Sequence, residues 1–100
     1  MNEFFKNRID TAHALIDERM YDDAVELLQN IKTRIHDAGI LSTMNQHDSD
    51  VDKEYNKQYA TIGTQTGDPY ESYSKVVQLK RWKAQEYLKF YDKTLREHEL

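Results

Sequence analysis

The stretch His47–Glu54, HDSDVDKE, sets an acid at every second position beside a histidine, and its reading decides the fold. Asp48, Asp50 and Asp52 match the first three oxygen ligands of a helix-loop-helix calcium site. Such a loop next needs a sharp turn, nearly always at glycine, and a bidentate glutamate at its twelfth position, but Lys53 and Tyr59 stand there. A helix start accounts for more. Ser49 with Asp52 three residues on forms a capping box, and acids in a first turn complement the helix macrodipole. Val51, Tyr55, Tyr59 and Ile62 follow at helical steps until Gly63, so the stretch opens a short helix over about 50–62 and binds no metal.

On the N-terminal side, Leu41 and Met44 lie among polar residues without a period, which reads as a crossover linker over about 40–48. Before it, Phe5, Ile9, Ala12, Ile16 and Met20 recur at helical steps, with Leu15 widening the face, and predict a helix over about 3–19. Asp22 and Asp23 suit the next N-terminus, and Ala24, Leu27, Leu28, Ile31 and Ile35 carry a second helix over about 22–38, with Gly39 as its stop. So short a connection makes the pair an antiparallel hairpin.

Within that hairpin, Asp17–Leu28, DERMYDDAVELL, resembles the turn and second helix of a tetratricopeptide repeat through Tyr21, Ala24 and Leu28, with Ala12 where that motif wants a small residue. Arg19 stands where a glycine is usual, and no second copy follows at the ~34-residue period. A solenoid needs about three repeats, so we read shared hairpin physics and claim no family.

On the C-terminal side, a TQTG loop at 64–67 precedes Asp68-Pro69-Tyr70-Glu71, in which aspartate caps, proline suits the first helical position and glutamate completes the box. No proline or glycine follows before Leu100, which allows a helix over about 69–98, ~45 Å long. Tyr70, Tyr73, Val77, Ala84, Leu88, Tyr91 and Leu95 form its main stripe. Lys80 falls inside that stripe and must either snorkel or pair with an acid of helix one or two, such as Asp17 or Glu26. The fold reading is a single all-α domain, a small four-helix arrangement of hairpin, linker, short third helix and long fourth.

Composition narrows function mostly by exclusion. With 100 residues, a net charge of −4 and no cysteine, disulfides and thiolate chemistry are out, and no apolar run approaches a membrane span. The N-terminus lacks a signal-peptide pattern, and we expect a soluble cytoplasmic protein. His13, His36, His47 and His98 show no ligand spacing, and no phosphate loop or nucleophile motif is present, so neither catalytic nor metal residues are assigned, no cofactor is expected and an enzyme is not the reading.

The informative patch is KVVQLKRWK, where Lys75, Lys80, Arg81 and Lys83 occur without an acid between Glu71 and Glu86. Leu79, Trp82 and Phe90 project opposite the main stripe, where they either pack on another helix of the same chain or form an exposed aromatic-basic surface, and tryptophan with arginine is the composition of interface hot spots. The leading reading is a non-catalytic interaction or regulatory protein that binds a protein partner, or itself as a homodimer through residues 69–98, using Lys75, Leu79, Arg81, Trp82, Lys83 and Phe90. The alternative is a nucleic-acid-binding module that sets Lys75, Lys80, Arg81 and Lys83 on phosphates, which the acidic remainder of the chain opposes.

Overall fold

A computed structural model describes residues 1–65 and 67–100. Among them the chain forms four α-helices and no strand: α1 (Glu3–Asp17), α2 (Tyr21–Asn30), α3 (Ala38–Gln65) and α4 (Pro69–Glu97), with a 3₁₀ turn over Ile31–Arg34. The all-α class, the N-terminal hairpin and the long last helix are as read from the sequence. The third helix is not short.

The reason lies at Asp37. Its Oδ1 accepts hydrogen bonds from the amides of Gly39 at 2.8 Å and Ile40 at 3.1 Å, which caps a helix starting about twelve residues before the expected one. Gly39 therefore sits in the first turn of α3 and stops nothing. From Ile40 to Ile62 no glycine or proline interrupts, and Ile40, Met44, Asp48 and Val51 are all buried at helical steps. The linker at 40–48 is thus the first third of α3, and Ser49 is an exposed mid-helix residue, not a cap. The second helix is correspondingly shorter, because the backbone tightens at Ile31 and is extended at Ile35 (φ −105°, ψ 122°). Both isoleucines stay buried, so apolar spacing alone ran the helix through them. Of the TQTG loop, Thr64 and Gln65 belong to α3, and Thr66 lies outside the described residues.

The other boundaries follow local rules. Asp68 Oδ1 accepts from the Tyr70 amide at 2.9 Å with Pro69 at the first helical position, and Asn2 Oδ1 accepts from the Phe5 amide at 2.9 Å. α1 ends in a Schellman turn: the Met20 amide donates to Leu15 O at 2.8 Å, the Arg19 amide to Ile16 O at 3.0 Å, and Arg19 adopts φ 64°. That is the left-handed position where a tetratricopeptide repeat carries glycine. α4 closes the same way through Glu99 (φ 55°), and Leu100 O accepts from the Asn2 amide at 2.8 Å, joining the chain ends.

α1–α2 form one layer and α3–α4 the other, joined mainly through α4, which touches all three other helices. α2 runs parallel to α4, since Asp22 meets Lys80 and Gln29 meets Tyr87 at the same spacing. The layers differ in length. α1 and α2, with 15 and 10 residues, reach ~22 and ~15 Å, whereas α3 and α4, with 28 and 29, reach ~42 Å. The α3–α4 hairpin therefore overhangs its cover as an arm, and the molecule measures 47 × 27 × 18 Å. Its radius of gyration of 14.9 Å exceeds the ~13 Å of a compact domain this size.

Candidate protein-binding surface

The six residues assigned from the sequence do not form one free surface. Leu79 is buried at 6% exposure, while Trp82 and Phe90 are half-buried against the core. The Phe90 ring stacks on the His47 imidazole of α3 at 4.0 Å and 7°. Lys83 Nζ lies 3.2 Å from Asp52 Oδ1 of α3 and 4.9 Å from the Tyr55 ring centre. Lys75 is exposed and pairs with Glu71 at 3.3 Å, and Arg81 is exposed. The second stripe of α4 is mainly its seam with α3. A free stripe presupposed a third helix of about 13 residues, and the one formed has 28. On that side a groove of about 350 Å³ opens between Trp82 and Gln58, and another of about 510 Å³ lies beside Phe90 and His47.

The quoted acid stretch became the structural centre of that seam. Asp48 is 5% exposed, and its carboxylate accepts from Lys32 Nζ at 2.8 Å, His47 Nδ1 at 3.0 Å and the Tyr91 hydroxyl at 2.7 Å. An ionised carboxylate only accepts, so Nδ1 of His47 carries the proton. Burial pushes the Asp48 pKa up, but the hydrogen bonds from His47, Lys32 and Tyr91 and the Lys32 charge together outweigh it and hold the group below its usual range. Desolvation, and then the hydrogen bond to Asp48, push the Tyr91 phenol far up, and desolvation with the Asp48 charge does the same to Tyr87. The Tyr87 hydroxyl donates to Asp52 Oδ1 at 2.9 Å. These groups satisfy one another and tie the 3₁₀ turn to α3 and α4, which is a structural role. Among the described residues no three His, Asp or Glu side chains come together as a metal-binding group.

The exposed apolar surface lies elsewhere. Among the described residues five large hydrophobic side chains are exposed, and apart from Met1 they are Met20 at 42%, Tyr59 at 51%, Tyr70 at 80% and Tyr73 at 70%. All four border the overhang. Met20 and Tyr73 line a cleft of about 530 Å³ between the α1–α2 turn and the arm, with Val76, Val77, Asp22 and Lys80. Tyr70 precedes Tyr73 by one helical turn on the same face of α4. Tyr59 stacks on Tyr55 at 6.0 Å on α3, and both lie near Lys80, whose pKa is raised chiefly by its hydrogen bond to Asp22.

From the sequence, Tyr70 and Tyr73 belonged to the core stripe and Tyr59 to the inner face of helix three. The period is right and the burial is not, because α1 and α2 end before they reach these positions. A signal was present: hairpin helices of about 17 residues span only ~26 Å against ~45 Å for the fourth. No protein-family model, curated protein or solved structure matches this chain.

Proposed function

We propose that this chain is a non-catalytic protein-interaction module, cytoplasmic and regulatory, whose partner docks on the overhanging face of the α3–α4 arm. One observation carries the reading: four of the large hydrophobics exposed among the described residues border one face, where two core stripes run on past their cover. Tyrosine supplies large, rigid contact area with a polar tip that tolerates water while free, as an intermittent interface requires. The single charge pair at its base, Lys80–Asp22, is internally neutralised.

The nucleic-acid alternative has less support. Lys75, Lys80 and Lys83 each pair with an acid of the same chain, Glu71, Asp22 and Asp52, which leaves little unbalanced positive field for phosphates.

The test is affinity capture from host extract with the wild-type chain, a Tyr59→Ala/Tyr73→Ala variant and a Lys89→Ala control on the outer side of α4. The reading expects capture to be lost in the double variant and kept in the control. Equal capture by all three overturns it.

A further inference from the structure

Resting on that reading, we infer that the occupant of the overhang is a second copy of this chain, the two arms packing face to face as a four-helix bundle around Tyr59, Tyr70 and Tyr73. The body of the molecule shows what the arm lacks. There, α4 is covered by both α1 and α2, and in the arm it has no such cover from Pro69 to Leu79, eleven residues or roughly 16 Å. The missing cover must be two helices wide and that long. The arm of a second copy has both dimensions, since it is the same element.

The face also suits self-association. In a two-fold contact each residue meets the same surface of its partner, so unpaired charges near the axis would repel. Here the central residues are tyrosines and valines, and Lys80 and Asp22 already pair with each other. With the arms antiparallel, Tyr70 near the tip approaches Met20 of the partner subunit, which accounts for an exposed methionine at the α1–α2 turn.

Area sets the strength. At 51%, 80% and 70% exposure, the three tyrosines offer roughly 300–500 Å² per copy. The pair, with flanking Met20, Val76 and Val77, reaches the low end of specific interfaces, near 1,200 Å² in all, which implies a reversible dimer and not an obligate one.

The experiment is sedimentation equilibrium of the full chain from about 1 μM to about 1 mM, a range that brackets micromolar association. The expected mass rises from 11.9 kDa to twice that value, and Tyr59→Ala/Tyr73→Ala moves the midpoint at least tenfold higher while helical circular dichroism is unchanged. Because the chain has no cysteine, a mixture of Met20→Cys and Tyr70→Cys chains adds an independent reading: mild oxidation should yield the mixed covalent dimer, and Gln85→Cys on the outer side of α4 should not. A mass that stays at 11.9 kDa throughout, with no mixed disulfide, overturns the second copy. If the arm alanines then still abolish capture, a foreign segment occupies the face and the interaction reading survives. If capture is also unaffected, both fall.

Discussion

Lys80 Nζ lies 2.8 Å from Asp22 Oδ2, and this ion pair marks where the α1–α2 layer ends on α4. On the C-terminal side of it α4 is core; on the N-terminal side its stripe meets solvent. The acid comes from the start of α2, not from Asp17 or Glu26. With side chains 37% and 74% exposed, the pair is a landmark more than a clamp. Lys80→Met should therefore change stability by under about 0.5 kcal/mol in urea unfolding. A loss above about 1 kcal/mol would show that the pair anchors the hairpin to the arm.

The Asp48 cluster should behave oppositely. Asp48→Ala strands the Tyr91 hydroxyl and the Lys32 ammonium without their acceptor, at a cost of about 3 kcal/mol. Tyr91→Phe removes one charge-assisted hydrogen bond and should cost about 1–2 kcal/mol by the same unfolding measurement. A Tyr91→Phe variant as stable as the wild type would remove the network from the account.

Acid should reveal the same cluster. The folded-state pKa of Asp48 lies below its unfolded value, so the unfolded chain takes up the proton first. Its stabilising contribution is fully present above about pH 4 and is lost as pH falls through the folded-state value. Unfolding free energies measured from neutral to strongly acidic pH should fall less steeply with acid in Asp48→Asn than in the wild type. Parallel curves would contradict this.

Helix starts give a test at single residues. Asp37→Ala and Asp68→Ala should each cost about 1 kcal/mol, because both carboxylates cap helices. Ser49→Ala, which a helix start at 50 would make costly, should be neutral or stabilising by up to about 0.5 kcal/mol at an exposed mid-helix site. Arg19→Gly should stabilise by about 1 kcal/mol, since glycine adopts φ 64° without a Cβ clash. Thermal and urea unfolding decide each.

These residues also show what the sequence could disclose. Local chemistry was legible: the Asp68-Pro69 start, the α1–α2 hairpin and the α4 stripe all rest on neighbours within a few positions. α3 was read short because Asp48 occupies a core position, which breaks the apolar period between Met44 and Val51. Its burial depends on Lys32 and Tyr91, distant in the chain, and no local pattern announces them. The candidate surface was displaced for a related reason. A stripe tells which way a side chain faces, whereas its exposure depends on how far a neighbouring helix extends.

The central claim is that the arm face meets another protein chain. Its most direct test places a photo-crosslinking benzophenone side chain at Tyr73, and separately at the exposed Lys89 on the outer side of α4, and illuminates cells expressing each chain. The account predicts a covalent protein adduct from position 73 and none from position 89. Adducts from position 89 alone, or from neither position, would contradict it.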